Sequence, residues 1–161
     1  HAGSNEAFVN RTLLQNNAAG AKLIGMKNGS ASAREGLVAC EAGFSTLTQP
    51  FDVTILGMGP DGHTASFFPH SDGLEKALDD NASDLCAAII ATKSEVTGDN
   101  LERMTLSLSG LLKSKELKLL ISGDEKLAVL RQAEQAGDVA DMPLRAVLRQ
   151  TVVPVTVYWA P

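Results

Sequence analysis

Apolar positions along the chain switch between two spacings, and the switches predict alternating helices and strands. Ser4 stands ahead of a stretch over about residues 5 to 15 in which Phe8, Leu13 and Leu14 supply apolar contacts. Its hydroxyl suits a helix N-cap. Ala21 to Met26 reads as a short strand closed by Asn28-Gly29. Ser30 or Ser32 then opens a second helix to about Thr46, with Leu37, Val38, Cys40 and Phe44 recurring at helical spacing. Pro50 ends that unit, Phe51 to Leu56 follows as a buried strand, and Gly57 begins a turn.

Leu74 to Leu78 predicts a short helix, and Leu85 to Ala91 a strand of the fully buried type. Met104, Leu106 and Leu108 alternate with polar residues, as a half-exposed strand requires. Leu117 to Ile121 is another buried strand, and Ser122-Gly123-Asp124 leads from it into a helix carrying Leu127, Val129, Leu130 and Ala133. Met142-Pro143 starts a last helix, since proline is tolerated in a first turn. Val155 to Trp159 closes the chain as a strand.

Strands that alternate with helices predict an α/β fold, a mainly parallel sheet flanked by helices. Ligands bind such sheets at the carboxyl ends of strands. Two loops there carry chemistry: 57–66 and 122–126.

Bulk properties narrow the functional classes. A length of 161 residues fits one domain, taken as 1–161. With 44% hydrophobic and 20% charged residues the chain is of the soluble globular type, and its apolar runs are too short to span a bilayer. The net charge of −5, with no lysine- or arginine-rich run, argues against nucleic-acid or anionic-membrane partners. An anionic substrate would therefore need a local cluster of cations and backbone N–H groups. Cys40 and Cys86 sit in apolar segments and read as buried, reduced thiols of a cytoplasmic protein. No secretory signal opens the chain. A start at His1, not Met, points to a processed or truncated polypeptide.

Gly57, Gly59 and Gly62 satisfy a dinucleotide-type glycine pattern after a strand. That pattern requires a helix at once and an acidic residue ending the next strand, about 20 residues on. Pro69, Ser71 and Gly73 interrupt instead, and Asp79, Asp80 and Asp84 precede the next strand. The glycines are better read as a sharp turn that presents Asp61 and His63 to a cleft. A histidine with an ordinary pKa near 6.5 is a usable general base at neutral pH. Asp61, two residues away, can orient its ring or hold the attacking water.

The run from Phe51 through Gly57-Met58-Gly59-Pro60-Asp61-Gly62-His63-Thr64-Ala65-Ser66 to Phe67-Phe68-Pro69 closely resembles the signature of 6-phosphogluconolactonases. The resemblance extends to Ser4-Asn5, Arg103-Met104-Thr105-Leu106, Gly123-Asp124-Glu125-Lys126 and Tyr158-Trp159-Ala160-Pro161, and so covers the chain in order. It implies a fold shared with glucosamine-6-phosphate deaminases and isomerases, which typically continue the Asp-Gly-His loop with Asn-Glu-Pro. It also implies hydrolysis of 6-phospho-D-glucono-1,5-lactone to 6-phosphogluconate in the pentose phosphate pathway, with no metal or organic cofactor.

On that reading His63 is the base and Asp61 its partner. Backbone N–H groups of the glycine turn, Gly59 and Gly62 included, are the candidate donors to substrate. Lys126, at a helix start beyond a strand, is the implied phosphate ligand. Arg103 matches a family position, although Glu102 stands where proline is common; an ion pair with Glu102 or another acid is the alternative role. Ser66 reads as a cap or structural hydroxyl, since its surroundings lack a nucleophile elbow. Arg145, Arg149, His70 and His1 read as surface residues. The family's usual N-terminal portion, with a phosphate loop and an Asp-Glu-Arg segment, has no counterpart here. The expectation is a C-terminal fragment that keeps the base, loses part of the phosphate site and exposes apolar sheet edges.

Overall fold

The computed structural model describes residues 4–161; His1 lies outside them. In chain order the elements are α1 (Asn5–Thr12), a 3-10 turn (Asn16–Ala18), α2 (Ala33–Ser45), β1 (Thr54–Leu56), α3 (Leu74–Ala77), β2 (Cys86–Ile90), β3 (Glu102–Leu106), α4 (Leu108–Leu112), β4 (Leu117–Ser122), α5 (Asp124–Glu134), α6 (Leu144–Arg149) and β5 (Val155–Ala160). β1, β4 and β5 form a parallel sheet in the order β1-β4-β5, and β2 pairs with β3 as a separate antiparallel ribbon. The fold is α/β, and the larger sheet is wholly parallel. Among the described residues no helix is long and apolar enough to cross a membrane.

Alternation along β4 decides which face of the sheet is covered. Leu117, Leu119 and Ile121 point one way and are buried, packed with Leu56, Leu108, Leu111, Leu130, Leu144 and Val147 in the main core. Each such side chain contributes about 1.5–3 kcal/mol by leaving water. Register places Ile55 beside Lys118 and Leu120 beside Tyr158 on the opposite face. That face is open: Ile55 is 62% exposed and Leu120 47%. The expectation that both strands are buried therefore holds for one face only. Apolar runs record strand composition, whereas two-sided burial requires a second layer, and the described residues supply only one.

Local chemistry sets the ends of several elements. The Ser4 hydroxyl accepts from Ala7 N at 3.3 Å, and that of Ser32 accepts from Glu35 N at 3.2 Å, so Ser32 and not Ser30 caps α2. Gly123, at φ +84, turns β4 into α5, a conformation that L side chains rarely adopt. Pro143 precedes α6, where its missing N–H is not needed. α2 lies against β2 through Cys40, Leu85 and Cys86, with Leu37, Phe44, Met26 and Met104 around them. The Glu41 carboxylate fastens the same junction by accepting from Leu85 N and Cys86 N, each at 2.8 Å.

Other expectations fail for identifiable reasons. Residues 21–26 form no strand, because among the described residues no neighbouring strand accepts their hydrogen bonds. α1 buries none of its residues, so Phe8 and Leu13, 56% and 64% exposed, make no core contact. Val38 faces solvent at 80% exposure, on the side of α2 away from Cys40. Leu108 does not continue β3; Ser107 accepts from Gly110 N at 3.0 Å and starts α4 there. Arg145 is no surface residue. It is 6% exposed, with Nη1 donating to Asp138 O at 2.8 Å and Nη2 to Gln132 O at 3.5 Å. Arg149 and His70 are exposed, the latter 2.9 Å from Asp141.

Candidate active site

The loop that follows β1 is closed by its own hydrogen bonds. Thr64, fully buried, donates its hydroxyl to Gly57 O at 2.8 Å across the neck of the loop. Gly59 N donates to His63 O at 2.9 Å, and Gly62 N to Gly59 O at 3.1 Å. Leu144 N then donates to Gly62 O at 3.0 Å, tying the loop to the first residue of α6. No helix follows directly; the chain makes an isolated bridge between Thr64 and Phe67 and reaches a helix only at Leu74. A dinucleotide-type loop would pass straight into a helix.

Both glycines are required by what surrounds them. A Cβ on Gly59 would stand 2.0 Å from Nδ1 of His63 and 2.7 Å from Oδ1 of Asp61. Gly62 has φ +77 and lies against Met142, whose Cε would meet an added Cβ at 2.8 Å. Their N–H groups serve the loop itself, as does His63 N, which donates to Asp61 Oδ1 at 3.1 Å. The loop thus holds Asp61 and His63 in a fixed relation. Ala65, next along, has φ +50, an uncommon conformation for a non-glycine residue.

Asp61 Oδ1 lies 2.6 Å from His63 Nδ1. Against an ionised carboxylate Nδ1 is the donor, and in the neutral imidazole Nε2 is then the unprotonated nitrogen. Among the described residues Nε2 has no hydrogen-bond partner. The two side chains are 20% and 28% exposed, enough for a small molecule to reach. The imidazole also contacts the buried Phe68 ring, with centroids 4.5 Å apart at 41°. Sequence alone does not single out this aromatic neighbour, because Phe67-Phe68 looks like any core pair. Thr105 is a second addition: its Oγ1 accepts from Ser66 N at 3.3 Å. Ser66 itself caps no helix.

His63 stands where two cavities meet. One, of about 610 Å³, runs past Gly57, Met58 and Gly59 to Lys126; the other, about 940 Å³, runs past Phe68 to Ser30, Ser32 and Arg103. Both also touch Asn5, Met26, Ala65, Ser66 and Met104. Lys126, in the first turn of α5, donates from Nζ to the Met58 carbonyl, so it borders the glycine loop. Arg103, on β3, lies in the other cavity, and its guanidinium donates to the carbonyls of Asn100, Glu102 and Thr97. Partial burial lowers its pKa from the ordinary guanidinium value. It pairs with no acid among the described residues; the Glu102 carboxylate instead accepts from Ala33 N at 2.7 Å. Among the described residues no group of three or more His, Cys, Asp or Glu side chains is placed to hold a metal ion.

The Asp61–His63 pair lies on the loop that leaves the carboxyl end of β1, where open α/β sheets place their ligands, and Lys126 lines a cavity that His63 also lines. Residues 1–159 match the family model described as glucosamine-6-phosphate isomerases/6-phosphogluconolactonase, and the chain belongs to that family. It is 39% identical over 158 residues to a 6-phosphogluconolactonase of Rhizobium meliloti, covering 98% of this chain and 66% of the relative. A 6-phosphogluconolactonase of Pseudomonas aeruginosa is 39% identical, across 100% of this chain and 64% of its own length. The crystal structure of a 6-phosphogluconolactonase from Shewanella baltica superposes with a TM-score of 0.91 at 43% identity, covering 100% of this chain and 66% of that one. The chain therefore spans just under two thirds of the length of these relatives.

Proposed function

We propose that this chain hydrolyses 6-phospho-D-glucono-1,5-lactone to 6-phospho-D-gluconate, with His63 as the general base. The observation that carries the reading is the 2.6 Å contact between Asp61 Oδ1 and His63 Nδ1 on the wall of a cleft that Lys126 also lines. Water held at Nε2 gives up a proton as its oxygen attacks C1, and the carbonyl becomes an oxyanion. The oxyanion collapses, the bond from C1 to the ring oxygen breaks, and the proton on Nε2 passes to that oxygen. The open-chain acid then loses its own proton to solvent. A base in this position supplies about 10²- to 10⁴-fold in rate.

Asp61 would keep the imidazole in the tautomer the reaction needs and stabilise the transient imidazolium. Lys126 would hold the 6-phosphate, its ammonium reinforced by the N-terminal dipole of α5. The N–H groups of Gly59 and Gly62 are engaged within the loop, so these residues act by shaping it. Arg103 offers a second cation along the adjoining cavity. Cytoplasmic sugar metabolism is the setting that this reading and the paired thiols favour.

The substrate class is tested by proton-release rates on 6-phosphogluconolactone and on unphosphorylated glucono-1,5-lactone. A charge-assisted phosphate contact of about 1.5–3 kcal/mol predicts at least tenfold higher kcat/KM for the phosphorylated lactone. Equal values would remove the phosphate from the reading.

A further inference from the structure

We infer that Phe68 is a positioning residue for His63, fixing the plane of the imidazole that Asp61 alone would leave free to pivot. Its consequence for rate rests on the lactonase reading; its consequence for the ring does not. A histidine ring held by one hydrogen bond retains a broad torsion about the bond joining Cβ to the ring. The contact with Asp61 is made at Nδ1, on the edge of the ring. Rotation that weakens this bond also swings Nε2 away from any water it must hold. A second contact through a neighbouring ring restrains that torsion, and the Phe68 ring supplies it at 4.5 Å.

Phe68 is itself well fixed. Its side chain is 6% exposed and belongs to the main core. Its carbonyl accepts from Ser71 N at 3.2 Å and from the buried Ser71 hydroxyl at 2.8 Å, while its own N–H donates to Ser66 O at 3.0 Å. The guanidinium carbon of Arg103 lies 6.0 Å from the ring centroid, within cation–π range, and three backbone carbonyls hold that guanidinium. The arrangement runs from the anchored Arg103 through a core aromatic ring to the imidazole. Phe68 thus couples the 940 Å³ cavity, where Arg103 lies, to the base at the junction of both cavities. An aliphatic side chain would fill the volume without the flat surface.

The test compares Phe68→Leu and Phe68→Tyr in the 161-residue chain. Nitrogen-15 spectra of the histidine rings, with His63 assigned through His63→Ala, report the tautomer directly. The wild-type chain should show a single Nδ1–H form with a strongly downfield proton. Phe68→Leu should lose that proton signal and average the two nitrogens, whereas Phe68→Tyr should retain the wild-type pattern. In lactone hydrolysis Phe68→Leu should lower kcat about tenfold with KM changed less than about twofold, and Phe68→Tyr should restore kcat. Unaltered nitrogen shifts in a folded Phe68→Leu chain overturn the proposal, as does a Tyr variant no better than Leu. If Phe68→Leu fails to fold by circular dichroism, Phe68→Met makes the same comparison, being flexible, apolar and without a ring. A wild-type chain with no hydrolysis would count against the lactonase reading, while the nitrogen spectra would still decide the role of Phe68.

Discussion

Oδ1 of Asp61 meets His63 twice, at 2.6 Å from Nδ1 and 3.1 Å from the backbone N, so one carboxylate oxygen contacts both the ring edge and the main chain. The pair is two residues apart in sequence and needs no distant element to bring it together. The expected effect of Asp61→Asn follows from hydrogen-bond chemistry. An amide is nearly isosteric, but its NH₂ can donate to Nδ1 and so place the proton on Nε2, the wrong tautomer for a base. Asp61→Asn should lower kcat roughly 10²- to 10³-fold with little change in thermal stability. Steady-state kinetics alongside a melting curve checks both parts.

Gly59→Ala separates shape from chemistry. The new Cβ would collide with Nδ1 of His63 at 2.0 Å, and the ring can escape only by leaving Asp61. Because a side chain and not the backbone must give way, folding stability should fall by no more than about 1–2 kcal/mol. Activity should fall at least about 10²-fold through the displaced base. Gly62→Ala should cost more stability, since its φ of +77 strains any L side chain as well as crowding Met142. Chemical denaturation of the two variants measures the contrast.

The thiols of Cys40 and Cys86 lie 3.5 Å apart, both buried and free. Burial pushes both pKa values up, Cys86 well above the thiol range, with Glu41 nearby acting in the same direction. Native thiols should therefore react with iodoacetamide far more slowly than the same thiols in urea. The sign of the pH dependence is fixed too. Above an ordinary thiol pKa of about 8.5 the unfolded chain loses these protons and the folded chain keeps them, so stability declines as pH rises. Urea midpoints at pH 7.5 and 9.5 should show that decline, and Cys40→Ala/Cys86→Ala should reduce it.

The loop that carries Asp61 and His63 was legible in the sequence because its features are local. Ser4 and Ser32 as caps, Gly123 and Pro143 as punctuation, and the Asp61–His63 spacing all act within a few residues of themselves. Features that depend on a distant neighbour were not legible. The apolar run 21–26 lacks a partner strand among the described residues, and in Leu117–Ile121, where only Lys118 is polar, the exposed Leu120 hides an alternation that only the layers on each face reveal. Arg145 looked like helix surface because periodicity cannot show that carbonyls of Asp138 and Gln132 would come to meet it. Phe68 was visible as an aromatic but not as the neighbour of His63, since that contact depends on how the chain turns through Ala65.

The most direct measurement of the account is proton release from freshly generated 6-phosphogluconolactone by the wild-type chain and by His63→Ala. The wild-type rate should exceed spontaneous hydrolysis, and the His63→Ala rate should be lower by about 10²-fold or more, approaching the spontaneous rate. Equal rates for the two proteins, or no wild-type rate above the spontaneous one, would contradict it.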